Sequence, residues 1–281
     1  MIKIMKYIFL VIILVITISC RKIYFYPDRD LGTPVPAFIA HAGGGICNYE
    51  PNTFDAVVFG SSAYDGIELD IQLSKNGTIW LGHDPELKSC GSYGVKCFRA
   101  STDSYIEKLD SCLGPNKDYT RLAEVFEYMT KNYPEKPISL DVKAWVPCGV
   151  SDLNILKELN KLADAIIVLK NKYKPSHLMV ESETAQFLNY LKDNSSGIEC
   201  YLSTWGDFER GMLITLKRKL DGISFKYKYK EEITADHVRL IHRKGLKIQL
   251  WVVDDSTYMK EAISINPDYI QTDILQNVES R

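Results

Sequence analysis

Residues 66–84 read GIELDIQLSKNGTIWLGHD, which divides into a strand, a turn and a second strand. Glu68 and Asp70 stand two apart in the strand-like run Gly66–Leu73, so both carboxylates point to one face. Lys75-Asn76-Gly77 is an Asn-Gly turn that folds Thr78–His83 back as a hairpin. Two carboxylates on one face repel unless a cation lies between them. The stretch closes on His83, and the upstream segment 39–45, IAHAGGG, carries His41. Two imidazoles flanking a pair of carboxylates supply an acid, a base and donors for a hard metal ion.

Outward from this stretch, short apolar runs alternate with longer helical ones. The pattern predicts strands over Ala37–His41, Gly66–Leu73, Thr78–His83, Ile138–Lys143, His177–Glu181, Glu199–Thr204, Gly222–Tyr227, Leu246–Val253 and Tyr269–Thr272. Helices are predicted over Phe54–Ser61, Leu122–Asn132, Asp152–Lys172, Glu183–Asn194, Trp205–Lys219, Thr234–Lys244 and Ser256–Ile265. In the third of these, Leu153, Leu156, Leu159, Leu162 and Ile166 form a stripe at helical spacing. Strand–helix repetition predicts a parallel sheet covered by helices, closed as a (β/α)8 TIM barrel, with Thr78–His83 as an added hairpin strand. Residues 85–120 are loop-rich and read as a small insertion on the barrel rim. In such a barrel the chemistry gathers at the C-terminal ends of the strands. There stand His41, Asp141, Lys143, Glu181, Asp254, Asp255, Thr272 and Asp273.

Composition sets the outer bounds. The chain has 281 residues, 46% hydrophobic and 25% charged, which is ordinary for a globular protein. A net charge of −2 gives no bulk electrostatic case for nucleic acid. Lys3 and Lys6 precede an apolar run, Tyr7–Ile18, and then Ser19-Cys20. The run is shorter than the ~20 residues of a membrane span and fits the core of a signal peptide. Ser19-Cys20 resembles the lipobox of bacterial lipoproteins, although Thr17 stands where an aliphatic residue is usual. The expected organisation is a signal peptide over 1–20, a tether over 21–35 and the barrel over 36–281. Cys20 would carry lipid and anchor the protein in a bacterial cell envelope; a plain secretory signal or an uncleaved anchor is the alternative. Six further cysteines remain, and an even number in an exported protein permits disulfides. Cys90 and Cys97 bracket a turn-rich loop and are the predicted pair. No Cys-x-x-Cys spacing offers a zinc site.

The ordered segments together resemble the glycerophosphodiester phosphodiesterase family. His41-Ala42-Gly43-Gly44 resembles its His-Arg-Gly opening, and Glu50-Pro51-Asn52-Thr53-Phe54-Asp55-Ala56 its Glu-Asn-Thr helix start. Glu68-Leu69-Asp70, Asn76-Gly77-Thr78 and Gly82-His83-Asp84 resemble its acidic strand, turn and second histidine. Leu140-Asp141-Val142-Lys143 stands for a segment usually written Glu-Ile-Lys. Gln249–Asp254 and Gln271-Thr272-Asp273 resemble its last two strands. The resemblance implies a barrel that hydrolyses a small glycerol phosphodiester with one divalent cation, calcium or magnesium. It also implies roles: His41 and His83 as the acid–base pair, Glu68, Asp70 and Asp141 as metal ligands, and Lys143 at the phosphate. In the family the attacking hydroxyl can be the substrate's own, giving a cyclic intermediate.

Two departures bear on substrate choice. The family's Arg after the first histidine is Ala42, which offers no fork of donors to a phosphate. Gly43-Gly44-Gly45 could supply backbone N–H groups instead. The third ligand is Asp141, one methylene shorter than the usual Glu. Other candidates have two readings each. Asn52 orients the site or caps the helix starting near Thr53. Trp251 walls the substrate pocket or fills the barrel. Glu181 lines that pocket or pairs with a neighbour where Ser182 caps the next helix. His41 alone could be a polar strand end, Glu68 and Asp70 a solvated face, and Asp141 with Lys143 a simple ion pair. Two further functions remain in view: a phospholipase-type phosphodiesterase acting on intact lipids, and a surface lipoprotein that keeps the barrel for binding only.

Overall fold

Strand β1 (Ala37–Ala40) hydrogen-bonds in parallel to β2 (Gly66–Leu73) on one side and to β9 (Tyr269–Thr272) on the other, and this double pairing closes the sheet. The computed structural model describes residues 36–44, 49–92, 96–113, 119–143 and 154–274. The predicted signal peptide, tether and Cys20 lie outside the described residues. Among the described residues no helix is long and apolar enough to cross a membrane.

Around the ring from β2 follow β4 (Ile138–Val142), β5 (Leu178–Ser182), β6 (Ile198–Thr204), β7 (Gly222–Lys226) and β8 (Lys247–Trp251), each parallel to its neighbour. Strand β3 (Ile79–Leu81) pairs antiparallel with β2 and stays outside the ring. It is the hairpin that the Asn-Gly turn predicts, with Gly77 at φ 82°. The helices are α1 (Phe54–Ala63), α2 (Asp103–Leu113), α3 (Leu122–Asn132), α4 (Ile155–Tyr173), α5 (Ala185–Asn194), α6 (Phe208–Arg218), α7 (Ala235–Arg243) and α8 (Ser256–Ser264). Strand residues that point outward, such as Leu69, Leu140, Val180, Ile223, Ile248 and Ile270, are buried against helix residues such as Val57, Phe126, Leu162, Leu188, Ile241 and Met259. Burial of that apolar surface holds the helices on the sheet. The alternate residues point into the barrel. Its N-terminal end is filled by Ile39, Met179, Tyr201 and Tyr269, which pack on one another.

Two expectations for the rim need correction. Residues 85–120 are not loop throughout: α2 crosses them and buries Ile106 and Leu109 against Trp80, Leu87, Phe98 and Tyr119, a separate small core. Asp103 ties that helix to the hairpin. Its carboxylate accepts from Ser74 Oγ (2.6 Å), Thr78 Oγ1 (2.6 Å) and Trp80 Nε1 (3.1 Å). Burial opposes its ionisation, but these donors outweigh it and hold its pKa below the ordinary value. The predicted Cys90–Cys97 pair is also wrong. Cys90 is bonded to Cys112, because α2 folds back over the loop and brings the two Cα atoms to 6.1 Å. Cys97 belongs to a separate disulfide.

Candidate active site

The alternation of β2 sends Glu68 and Asp70 into the barrel, where they are 1% and 2% exposed. Register then places Asp70 beside Asp141 of β4. One carboxylate oxygen from each of Glu68, Asp70 and Asp141 lies within 4.8 Å of the other two. Lys143, two residues past Asp141 and on the same side, contacts Asp141 directly and reaches Asp70 Oδ1 at 3.2 Å. Burial and the charge of Asp70 drive the Glu68 pKa well above its ordinary value. Burial and Glu181 push Asp141 to about 8, against the pull of Lys143. Burial alone would lower the Lys143 pKa, but Asp141, Asp70 and Glu68 raise it. The cluster is a set of hard oxygen donors under mutual repulsion, and a divalent cation fits such a set.

His41 follows β1 and opens a left-handed turn, with φ of 47° at Ala42, 78° at Gly43 and 91° at Gly44. The turn aims the Ala42 N–H at Glu68 Oε2, 2.9 Å away. That donor therefore serves a protein carboxylate. Of the glycine run proposed to hold an anion, Gly45 lies outside the described residues. Helix α1 seats the turn closely, for a Cβ on Gly60 would meet Gly43 O at 2.2 Å. His41 Nδ1 faces both oxygens of Asp273 at 3.2 Å, and its Nε2 lies 4.0 Å from Glu68 Oε2. Burial works against the imidazolium, but the hydrogen bond to Asp273 and the charges of Glu68, Asp273 and Asp70 prevail and raise His41 to about 10. Asp273 is steadied in turn, its N–H donating to Asp254 Oδ1 at 2.8 Å. Burial and the Asp273 charge lift Asp254 to about 6.

Asn52 ties Asp70 to the turn after His41. Its Nδ2 donates to Asp70 Oδ2 (2.9 Å), its Oδ1 accepts from Asp70 N (3.0 Å), and its own N–H donates to Ala42 O (2.9 Å). The helix cap is Thr53, whose side chain accepts from the Ala56 N–H. Glu181 does not face the mouth. It is 2% exposed, and its carboxylate accepts from Ser139, Gln249, Gln271 and Ser224 inside the barrel. Every one of those partners is a side chain of the barrel interior, so Glu181 acts as an internal brace. Trp251 ends β8 at the mouth and packs edge-on against Trp205, with centroids 5.2 Å apart. His83 stays on the rim, its side chain 52% exposed and its Nδ1 2.9 Å from Asp84. The neighbouring Gly82 N–H donates to Asp70 O at 3.0 Å, so the chain leaves the hairpin beside the acidic strand.

The structure thus gathers His41, Asn52, Glu68, Asp70, Asp141 and Lys143, and places His83 on the hairpin exit beside Asp84. Two further charged groups stand at the same strand ends. Asp273 was placed at a strand end without its pairing to His41. Lys226, the last residue of β7, was not singled out at all, although the strand-end rule points to it.

The sequence profile of the Glycerophosphoryl diester phosphodiesterase family matches residues 48–276. The chain belongs to this family. Membership makes the protein a phosphodiester hydrolase, and of the gathered residues only His41 lies upstream of the matched span. Among curated relatives, the lysophospholipase D GDPD1 of Rattus norvegicus is 24% identical over 279 residues, covering 84% of this chain and 82% of that protein. The human protein of the same name is 25% identical over 283 residues, with the same coverage of 84% and 82%. Solved structures share the fold. A glycerophosphodiester phosphodiesterase from Parabacteroides distasonis superposes with a TM-score of 0.70 at 16% identity, covering 86% of this chain and 94% of that one. A phosphodiesterase of Oleispira antarctica, in complex with the product sn-glycerol-3-phosphate, gives 0.69 at 18% identity, with coverage of 85% and 93%.

Proposed function

We propose that this member of the family hydrolyses glycerophosphodiesters to glycerol 3-phosphate and an alcohol, and that it requires one divalent cation, calcium or magnesium. The observation that carries the reading is the meeting of Glu68, Asp70 and Asp141 within 4.8 Å, beside His41 and Lys143. Glu68, Asp70 and Asp141 would hold the cation. When bound, it neutralises the phosphodiester charge and polarises the phosphoryl oxygens. Lys143 adds a second positive point at the same phosphate. Asp273 accepts from His41 Nδ1, which leaves Nε2 to move a proton at the reacting oxygens. His83 would complete the acid–base pair by turning its exposed ring from Asp84 toward the mouth. Asn52 keeps Asp70 in place throughout.

The test is a panel of phosphodiesters assayed for glycerol 3-phosphate release with calcium, with magnesium and with EDTA. Turnover that needs added cation is expected. Undiminished turnover after exhaustive chelation would refute the metal requirement, and an inert panel would refute the reaction. A second reading, action on lysophospholipids, draws on the similarity to the lysophospholipase D relatives and on the exposed rings of Trp205 and Tyr229 at the mouth. The same panel with a lysophospholipid added separates the two. We also propose that Cys20 anchors the barrel to a bacterial envelope, on the strength of the short apolar run and Ser19-Cys20. Labelled fatty acid should fail to enter a Cys20→Ser variant, and unchanged labelling there would remove Cys20 as the anchor.

A further inference from the structure

Lys226 ends β7, and the ring order puts β7 four strands from β2 in either direction, directly across the barrel from Glu68 and Asp70. Its ammonium lies over three aromatic rings, 4.1 Å from the Trp205 centroid, 4.6 Å from Tyr229 and 5.1 Å from Trp251. The rings brace one another, Trp205 meeting Tyr229 at 5.7 Å and Trp251 at 5.2 Å, both edge-on. Cross-strand register fixes the arrangement, because Lys226 is the direct partner of Trp251. Three other lysines at the barrel ends have carboxylate partners: Lys143 has Asp70 and Asp141, Lys228 has Glu232 and Glu261, and Lys247 has Glu199. Among the described residues no carboxylate pairs with Lys226. The carboxylate of Glu183 instead accepts from Trp205 Nε1. Burial and the charge of Lys143 both lower the Lys226 pKa, so the two ammonium groups feel each other across the mouth.

An open aromatic cage attracts a quaternary ammonium group. This cage is filled by the protein's own cation. A cationic headgroup would meet repulsion there, and an anion would find a half-desolvated partner in need of a counter-charge. The acidic wall and Lys143 claim the reacting phosphate, so Lys226 faces whatever the phosphate carries on its far side.

We propose that Lys226, on its tray of Trp205, Tyr229 and Trp251, forms a headgroup subsite that selects phosphodiesters whose leaving alcohol bears a further anionic group and rejects choline-type cationic ones. This deepens, and rests on, the proposed hydrolysis of glycerophosphodiesters. The experiment compares glycerophosphoinositol 4-phosphate with glycerophosphoinositol, a pair that differs by one phosphate, and adds glycerophosphocholine as the cationic member. The full chain is assayed with saturating cation, as wild type, Lys226→Gln and Lys226→Arg. In wild type, kcat/KM for the phosphorylated member should exceed that of its parent by ~10-fold, the scale of one charge-assisted contact. Lys226→Gln should collapse that ratio toward unity through KM and raise the rate on the choline diester; Lys226→Arg should keep the preference. Binding of glycerophosphoinositol 4-phosphate, read from quenching of tryptophan emission, gives a measure that needs no turnover. Tighter binding by wild type than by Lys226→Gln, with no diester hydrolysed, would support the subsite and overturn the reaction. Hydrolysis of all three diesters with the same ratios in wild type and Lys226→Gln would overturn the subsite and keep the reaction.

Discussion

Asp273 accepts from His41 Nδ1, and only Nε2 is left to face the acidic cluster. Removing that acceptor should therefore misdirect the ring rather than unfold the chain. Asp273→Asn is expected to lower kcat by about 100-fold, the low end for general acid–base groups. Its His41 titration, followed by NMR in the metal-free protein, should fall clearly below about 10. An unshifted titration would mean that Asp273 does not govern the proton. The carboxylates act on stability with a definite sign. Asp141 rises from 3.8 to about 8 on folding, so the folded state binds its proton more tightly and stability falls as pH climbs through that window. His41 rises from 6.5 to about 10, so its contribution is fully present below 6.5 and is lost as pH climbs through about 10. Both act in one direction. The Tm of the chelated protein should decline from about pH 4 to about pH 10, and added calcium or magnesium should restore most of the loss at the alkaline end. Calorimetry at stepped pH reads both; a flat profile would contradict it.

Among the elements, α1 is the one whose packing the site depends on most directly. Ala at position 60 would drive a Cβ to 2.2 Å from Gly43 O and 2.9 Å from Ala40 Cβ, so the left-handed turn must move. Gly60→Ala is expected to cost about 1–3 kcal/mol by overpacking and to lower turnover as well, because the turn carries His41 and the Ala42 N–H. Gly77→Ala is the control: its φ is 82° but nothing lies within 4 Å, so it should cost about 1 kcal/mol with turnover kept. Urea melts and initial rates on the two variants decide it. The strands were the readable part of this chain. Gly66–Leu73 and Tyr269–Thr272 have the boundaries their alternation predicts, because in a barrel one parity meets helices and the other meets the interior. The acidic face followed from that parity alone. Asn52 needed more, since its role rests on a φ of 62° and on a partner 18 residues away. Helix α2 was legible in principle, since Tyr105, Ile106, Leu109, Cys112 and Leu113 recur at helical spacing, but the Gly- and Ser-rich stretch before it made residues 85–120 read as loop. The same reading led to the wrong cysteine pair, because Cys112 comes near Cys90 only through α2.

Over the whole molecule, a second charged network braces the pole of the barrel opposite the candidate site. At the N-terminal pole Glu199 accepts from Lys247 Nζ (2.8 and 3.0 Å) and Tyr201 Oη (2.8 Å), and lies 3.5 Å from His177. Burial opposes its charge, but the bonds to His177, Lys247 and Tyr201 depress its pKa to about 2. Its contribution is thus present above 4.5 and lost as pH falls through about 2. Glu199→Gln should lower the Tm at pH 7 and blunt the acid limb of the stability profile, while kcat stays within about twofold of wild type, since surface-pole changes leave the far end intact. A large fall in kcat would show that the two poles are coupled. The plug of Ile39, Met179, Tyr201 and Tyr269, with Glu181 and its partners above it, fills the barrel from its N-terminal end. Among the described residues the barrel interior is filled, so substrate and products share the face at the C-terminal ends of the strands. If both fragments leave by that face, the slower one is expected to compete with the incoming diester, so added glycerol 3-phosphate should raise the apparent KM, and an unchanged KM would contradict it.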